Sequence, residues 1–473
     1  MLILLAAALL RFVDLSGQGL WLDEALSVEM AQWPTAVLLT VDDGHPPLHP
    51  LLIKWLSPWL GSEICGRVIS VVAGVATIGL LFLVARRLFD ERVALLAATL
   101  LTISPLHVWY SREGRMYALL AMWATLSSLL VTRLARRIDA KIVAGYLVVT
   151  AAGILTHYAY VGIVAAQGLY LATRLRGRVR VAHGAAIGTL AAASAIVVGR
   201  MVLRETVWSP LASTTRGFDA LALPYTAFTF IAGFGIGPPL EELHRSTSVA
   251  TVAAYWPEVA AVVLVAATVG AVAVAGAIRD GSRIAYPLLW LVVPPLSLYV
   301  ASWLTGIAFN VRYVLASLPA LALLLAAGLM RRSPAVRVAA VLALVSISAV
   351  SVARDHVDPR YAREDLRGAA AFLETASGEG DRIVVSSGST KHVLQHYMGH
   401  RSMEALPVRP VRTRGEAQRV VAETSRPDHA TWIVLSRDWD DDPHGHLSTE
   451  LTSNDSVRLE ARLPGVRVYR TGG

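Results

Sequence analysis

Long apolar runs separated by short polar segments dominate residues 1–353. A helix needs about 20 mostly apolar residues to cross a membrane, and the first run, 1–10, is short because Arg11 and Asp14 follow it. The later runs are 64–85, 93–110, 116–134, 142–156, 158–175, 181–203, 252–278, 284–304, 313–330 and 335–353. The pattern predicts a polytopic α-helical membrane protein with about eleven transmembrane helices.

The polar pattern changes after residue 353. Short apolar strands alternate with amphipathic helix patterns, which is typical of a small α/β domain. The predicted elements are a helix at 363–375, a strand at 382–386, a helix at 390–398, a strand at 432–436 and a hairpin of 456–461 with 466–470. We therefore predict a transmembrane domain over 1–353 and an α/β domain over 354–473.

The first polar loop, residues 14–63, is long and partly apolar. Its segment 26–39 contains Trp33 and is amphipathic, and 49–60 is rich in Trp and Leu. Both patterns predict helices that lie flat at the membrane interface.

Composition and charge agree with this division. Of the 473 residues, 55% are hydrophobic and 16% charged, against roughly 25% charged in soluble proteins. The net charge of +8 would suggest nucleic acid as a partner of a soluble chain, but here the arginines cluster between apolar runs. We therefore expect no nucleic-acid partner. The single cysteine, Cys65, excludes an intramolecular disulfide.

The arginine clusters fall in every second connection between apolar runs. Such connections face the cytoplasm, so the alternate set is predicted to lie outside. That outer set comprises 14–63, 111–115, the turn at 157, 204–251, 305–312 and the C-terminal domain. Almost every residue with catalytic chemistry falls in this set.

Asp23 and Glu24 lie in the first outer loop, directly after Trp21-Leu22. An acidic residue before an amphipathic run is a common helix N-cap, and this explanation suits Glu24 well. An ionisable group next to apolar residues at a membrane surface also suggests function. Asp23 is therefore a candidate general base.

The same loop contains Asp42-Asp43-Gly44-His45-Pro46-Pro47. A solvated acidic turn stopped by prolines explains this segment, but with Asp23 it also supplies carboxylate and imidazole groups for sugar hydroxyls. The spacing matches no specific metal site. No cofactor is required, and a divalent cation stays open as an alternative.

Three shorter outer segments complete the candidate set. Ser111-Arg112-Glu113-Gly114-Arg115 is either an ordinary charged turn or a phosphate clamp, in which Glu113 holds one arginine. His157-Tyr158 is either a polar turn with an interfacial tyrosine or part of the site. Arg312 is either a snorkelling anchor or a second phosphate ligand.

Two histidine-containing segments of the C-terminal domain are weaker metal candidates. His392, His396 and His400 share a helical spacing but have no carboxylates nearby, and 438–446 is predicted to be a solvated acidic loop.

The order of these motifs resembles a known family. Arg11, then Trp-Leu-Asp-Glu-Ala, His-Pro-Pro-Leu, Tyr-Ser-Arg-Glu-Gly-Arg-Met-Tyr-Ala, Thr-His-Tyr and Arg-Tyr-Val-Leu-Ala-Ser-Leu-Pro-Ala are similar to the protein-mannosyltransferase-like GT-C glycosyltransferases, family 39 and its bacterial relatives. The resemblance covers about residues 11–330. Gly114 and the additional Arg112 depart from the Ser-Gln-Glu-Ala-Arg of many relatives.

The resemblance implies a GT-C fold and an inverting transfer of mannose, another hexose or a pentose. The donor would be a polyprenyl-phosphate sugar, and the acceptor a cell-envelope glycan, lipid or protein at the outer face of the plasma membrane. Asp23 would match the acid that takes the acceptor proton, and Asp43 and His45 would shape the donor site. Arg112 and Arg115 would fall at the second outer turn.

Two other functions are alternatives to this hypothesis. A polytopic transporter or lipid flippase often shows repeats and midplane sites, whereas here the polar residues gather at one face. A membrane scaffold would leave the Asp23 segment unexplained.

Overall fold

The computed structural model describes residues 1–40, 46–174, 220–246, 249–306, 308–399, 401–406, 410–424, 430–439 and 441–472. Within these ranges the chain forms two compact units. The first comprises Met1–Val13, Met30–Gly233 and Ala260–Val352, and the second comprises Asp14–Glu29, Phe234–Val259 and Ala353–Gly473. The second unit thus combines the C-terminal segment with parts of two loops from the membrane-like region.

The described elements run in the following order. The helices are α1 Leu2–Phe12, α2 Leu22–Gln32, α3 Thr35–Thr40, α4 Leu48–Leu60, α5 Ser62–Leu88, α6 Glu91–Ile103, α7 Pro105–Ser111, α8 Tyr117–Leu134, α9 Ala140–Thr156, α10 Tyr160–Arg174, α11 Ala222–Ala232, α12 Leu240–Arg245, α13 Val249–Ala253, α14 Trp256–Ala277, α15 Ala285–Thr305, α16 Leu318–Met330, α17 Pro334–Val357, α18 Leu366–Ala376, α19 Gly388–Tyr397, α20 Arg414–Thr424 and α21 His446–Ser453. The 3-10 helices are Ile278–Arg283 and Val311–Ser317. The strands are β1 Arg382–Val385, β2 Met403–Ala405, β3 Thr431–Ser436, β4 Val457–Leu463 and β5 Val466–Thr471.

Six helical segments of the described chain are long and apolar enough to cross a membrane. They are α5, α8, α14 with the 3-10 helix after it, α15, the 3-10 helix Val311–Ser317 with α16, and α17. The pair α6 and α7 makes a seventh if it is counted as one bent span. A helical membrane-like architecture is therefore confirmed, but the predicted count of about eleven is not, and the predicted helix 181–203 lies outside the described residues.

Prolines account for two differences from the sequence prediction. The predicted span 93–110 is divided into α6 and α7, which meet at an angle of 64°. Pro105 has no backbone N–H, and its ring disfavours helical backbone in the preceding Ser104. Pro34 similarly separates α2 from α3, so 26–39 is not one interfacial helix.

The second unit contains a five-stranded sheet in the order β2-β1-β3-β5-β4. β1 runs parallel to β2 and β3, whereas β5 runs antiparallel to β3 and β4, which confirms the predicted hairpin. Successive side chains of β3 point to opposite faces of the sheet, and each face is covered by a hydrophobic core. Trp432 and Val434 pack on one face with α18 and α19, and Ile433 and Leu435 pack on the other with α20 and α21.

The first core also includes residues from far earlier in the chain. Leu20, Ala25 and Val28 are buried among α18, α19 and the sheet. The segment that bears Asp23 and Glu24 is therefore an integral part of this unit, which the linear division at residue 353 did not predict.

The acidic segment 438–446 is not the solvated loop that the sequence predicted. Asp438 is 3% exposed and pairs with Arg245 and Arg467. Asp442 is fully buried and accepts hydrogen bonds from the Leu447 and Ser448 amides, so it caps α21. Asp438 and Asp442 therefore stabilise the fold. Among the described residues, no group of three or more His, Cys, Asp or Glu side chains could hold a metal ion.

Candidate active site

The acidic pair is presented by the first turn of α2. Leu22 begins the helix, so the carboxylates of Asp23 and Glu24 lie at its positive end, where negative charge is favourable. Ser27 donates a hydrogen bond of 2.9 Å to the Asp23 carbonyl. Asp23 is half-buried, whereas Glu24 is only 1% exposed.

Glu24 has a buried cationic partner in the same unit. Its Oε1 atom lies 3.4 Å from the Arg363 Nη1 atom, and the Arg363 guanidinium lies over the Trp21 ring, 5.6 Å from its centroid. This ion pair gives Glu24 a structural contact, whereas the sequence had suggested a helix N-cap, and a part for Glu24 in catalysis stays a prediction. Asp23, its neighbour, retains accessible surface for chemistry.

Asp43 and His45 lie outside the described residues. Their predicted part in the donor site, and the alternative of a cation there, therefore stay predictions.

The turn from Ser111 to Arg115 lies in the first unit, against one face of α5. Three small residues at successive four-residue intervals, Gly66, Ser70 and Gly74, form that face. A Cβ atom at Gly66 would lie 3.0 Å from the Gly114 carbonyl oxygen, and one at Gly74 would overlap the Ser111 side chain. Ser70 donates a hydrogen bond of 3.0 Å to the Arg115 carbonyl, so all three residues hold the turn.

The charged residues of this turn differ in exposure. Glu113 is 2% exposed and Arg115 is 4% exposed, whereas Arg112 is half-buried. The Arg115 amide also donates to the Glu113 carbonyl at 2.7 Å, which tightens the turn. Of its two arginines, only Arg112 keeps appreciable accessible surface.

Arg312 lies among aromatic rings in the same unit. Its guanidinium carbon is 5.4 Å from the Tyr117 ring centroid and 5.5 Å from that of Tyr313. The His157 ring is 4.9 Å from the Tyr313 ring and 5.8 Å from the Tyr117 ring. We call these four residues, Tyr117, His157, Arg312 and Tyr313, the arginine–aromatic cluster.

Local structure explains why these side chains converge. Arg312 stands in the 3-10 helix Val311–Ser317, whose start is capped by the Asn310 side chain accepting from the Arg312 amide at 3.2 Å. Tyr117 begins α8, and His157 ends α9. The cluster thus joins the ends of three helical segments.

One ring nitrogen of His157 is a hydrogen-bond acceptor. Its Nδ1 atom accepts the Ala159 amide at 3.0 Å, which leaves Nε2 to carry the proton of a neutral ring. The neighbouring Tyr158 is half-buried. His157 and Arg312 share two neighbours, the rings of Tyr117 and Tyr313.

Glu113 lies in the same unit as the cluster. The ring of Tyr110, three residues before Glu113, is 5.4 Å from the Tyr117 ring. The first unit therefore contains Glu113, His157 and Arg312, while Asp23 and Glu24 belong to the second unit.

The sequence interpretation did not assign Tyr110, Tyr117 or Tyr313 to the site. Tyr117 and Tyr313 each stand within two residues of a candidate arginine, and that adjacency was the available signal. Arg363 carried no comparable signal, because its acidic partner is distant in sequence.

An apolar groove opens on the first unit. Leu101, Pro105, Phe230, Leu318 and Leu344 are among its lining residues. These residues come from α6, α7, α11, α16 and α17. Its walls suit an aliphatic chain.

Comparison with known proteins identifies a family region. Residues 44–199 match the family model described as dolichyl-phosphate-mannose-protein mannosyltransferase. No curated protein matches the chain in a sequence search.

The fold is shared with solved GT-C glycosyltransferases. ArnT from Cupriavidus metallidurans in the apo state has a TM-score of 0.59 and 14% identity, covering 99% of this chain and 97% of that one. The same protein bound to undecaprenyl phosphate has a TM-score of 0.54 and 15% identity, with the same coverage. The arabinofuranosyltransferase AftD from Mycobacteria has a TM-score of 0.52 and 17% identity, covering 100% of this chain and 40% of that one.

The sequence resemblance is therefore confirmed at two levels: residues 44–199 match the protein-mannosyltransferase family model, and the chain shares the fold of the solved GT-C structures.

Proposed function

We propose that this protein transfers a sugar, mannose or another hexose or pentose, from a polyprenyl-phosphate donor to a cell-envelope glycan, lipid or protein. Transfer takes place with inversion at the outer face of the plasma membrane, where the C-terminal domain also lies. The observation that carries the proposal is the arginine–aromatic cluster, in which a half-buried guanidinium lies among aromatic rings in a chain with the GT-C fold.

Asp23 is the general base in this proposal. It accepts the proton of the acceptor hydroxyl while that oxygen forms a bond to the anomeric carbon of the sugar. The bond between that carbon and the phosphate oxygen breaks, and polyprenyl phosphate leaves with the bonding electrons. Asp23 suits this role better than Glu24 because Glu24 is buried against Arg363.

Arg312 and Arg112 stabilise the leaving phosphate. Both guanidinium groups keep accessible surface, whereas Arg115 is buried and suits a supporting role within the turn. Positive charge at the leaving oxygen lowers the barrier because negative charge develops there in the transition state. Glu113 supports the arginines, and the His157 N–H adds a neutral donor.

The Tyr313 side chain of the cluster also suits a sugar ring. Tyr313 is half-buried beside Arg312, and aromatic residues supply large rigid contact areas, whereas Tyr117 is 1% exposed and packs inside the cluster. Tyr158, Asp43 and His45 contribute further polar groups to the donor site in this proposal.

The apolar groove accommodates part of the polyprenyl chain. Its lining residues are mostly aliphatic, and burial of apolar surface contributes about 25 cal/mol per Å². The ArnT structure bound to undecaprenyl phosphate supports a lipid phosphate as the leaving group.

The experiment that tests this function uses the purified protein in proteoliposomes with polyprenyl-phosphate mannose and, separately, a polyprenyl-phosphate pentose. Release of free polyprenyl phosphate together with a glycosylated product is the expected result. Movement of intact donor across the bilayer, without cleavage of the sugar–phosphate bond, would contradict the proposal and indicate a flippase.

A further inference from the structure

We infer that Arg363 is a positioning residue that sets the orientation of Asp23 through Glu24, and that the α/β domain holds the catalytic loop. This inference rests on the proposed role of Asp23. The fold and the family match over residues 44–199 do not show what the α/β domain contributes to the reaction, and the inference gives that domain a role.

The segment 14–29 is held by the α/β domain along its length. The Leu20 amide donates a hydrogen bond of 2.8 Å to the Tyr397 hydroxyl. Arg367 donates to the carbonyls of Ser16 and Gly17, at 3.1 Å and 2.6 Å. The Glu29 carboxylate lies 3.4 Å from the His392 Nδ1 atom.

The residues just before α18 divide their contacts between the loop and the domain. Arg363 binds Glu24, whereas Glu364 lies 3.1 Å from Arg437 of the domain. The Asp365 side chain accepts from the Gly368 amide at 2.8 Å and caps α18, and the Asp365 amide donates to the Pro464 carbonyl at 2.9 Å. The segment is therefore fixed to its own domain while its arginines bind the loop.

The contacts of Glu24 also affect Asp23, because both residues belong to the first turn of α2. Successive residues of an α-helix point about 100° apart, so fixing Glu24 inward also fixes the direction of Asp23. Val28, one turn after Glu24 on the same side of α2, is buried in the core, and Asp23 keeps its exposure. The charge pair is strongly desolvated, at 12% exposure for Arg363 and 1% for Glu24, so loss of the arginine would drive Glu24 toward water and turn the helix.

The test compares Arg363→Gln, Arg363→Lys and the control Arg360→Gln, an exposed arginine of the same segment that pairs with Asp358. Steady-state transfer is measured with polyprenyl-phosphate mannose. We expect Arg363→Gln to lower kcat at least tenfold with the donor KM changed less than threefold, because the base is displaced while the donor site is intact. Arg363→Lys should recover much of kcat, and Arg360→Gln should match the wild type.

Hydrogen exchange of residues 20–28 gives a readout that does not depend on activity. Faster exchange there in Arg363→Gln than in Arg360→Gln, with the rest of the protein unchanged, is the expected result. Equal exchange and an unchanged kcat in Arg363→Gln would overturn the inference. If Asp23→Asn keeps full activity, the proposed base is wrong, and the exchange measurement still decides whether Arg363 holds the loop.

Discussion

Arg11 and His107 form a fully buried pair in the first unit, with the Arg11 Nη2 atom 2.7 Å from the His107 Nδ1 atom. Arg11 also donates to the carbonyls of Thr102 and Leu101, at 3.3 Å and 3.5 Å. These carbonyls belong to the last turn of α6, where helix termination leaves acceptors without intrahelical partners. Arg11 therefore stabilises the bend that leads into α7 and the Ser111–Arg115 turn.

Replacing Arg11 with Met should destabilise the protein by about 2 kcal/mol or more, because buried acceptors lose their donor. The measurement is the thermal unfolding midpoint in detergent. Arg137→Met is the matched control, since Arg137 is exposed, and it should leave the midpoint unchanged. Equal midpoints for the two variants would show that Arg11 does not stabilise the bend.

The face of α5 formed by Gly66, Ser70 and Gly74 predicts a difference in stability between two glycine variants. Gly66→Ala should cost about 1–3 kcal/mol, because the new methyl group would press on the Gly114 backbone. Gly79→Ala on the same helix should be neutral or stabilising, since its Cβ would only reach a Leu4 methyl at 3.8 Å. Unfolding midpoints measure the cost, and a Gly66→Ala variant as stable as Gly79→Ala would rule out close packing of the turn.

Arg312 variants test the phosphate assignment. Arg312→Gln should weaken polyprenyl-phosphate binding at least tenfold, equivalent to about 1.4 kcal/mol, because it removes the cation. Arg312→Lys should be intermediate, since it keeps the charge but loses the planar group over Tyr117 and Tyr313. Isothermal titration in nanodiscs gives the affinities. Unchanged affinity in Arg312→Gln would favour the snorkelling anchor that the sequence left open.

Asp381 makes a pH-dependent contribution to the stability of the α/β domain. Partial burial alone would raise its pKa, but hydrogen bonds from the Trp432 indole and the Gly378 amide, with the charges of Arg470 and Arg401, outweigh it. The pKa of Asp381 is therefore below its usual value. Its stabilisation is fully present above the unfolded-state pKa, about 3.9, and is lost as pH falls through the lower folded-state value.

The measurement is Trp fluorescence of the full-length protein during denaturant unfolding between pH 6 and pH 3. The stability difference between the wild type and Asp381→Asn should be largest near pH 6 and shrink as the solution becomes acidic. A difference that stays constant over this range would contradict a lowered pKa at Asp381.

Much of the architecture was predictable from the apolar pattern. The observed α5 and α8 match their predicted runs closely, because long apolar segments have one favourable structure in a membrane. The bend at Pro105 was missed because the apolar run continues through it. The strand β2 and helices α20 and α21 were also missed, since their short, polar sequences carry weak periodic signals.

The candidate site was predictable only in part. Motif order identified Arg312 and His157 as candidates, but not the two tyrosines whose rings lie beside the arginine. The Glu24–Arg363 pair joins residues that are distant in the chain, and periodicity contains no information about such contacts. The difference in burial between Asp23 and Glu24 likewise depends on tertiary packing.

The most direct test of the central proposal is the rate of sugar transfer by Asp23→Asn, measured beside Glu374→Gln, an exposed acid of α18. Both variants should fold and bind polyprenyl phosphate like the wild type. Loss of a general base predicts a fall in kcat of about 10²–10⁴-fold for Asp23→Asn and normal transfer for Glu374→Gln. Wild-type transfer by Asp23→Asn would contradict the assignment of Asp23 as the base.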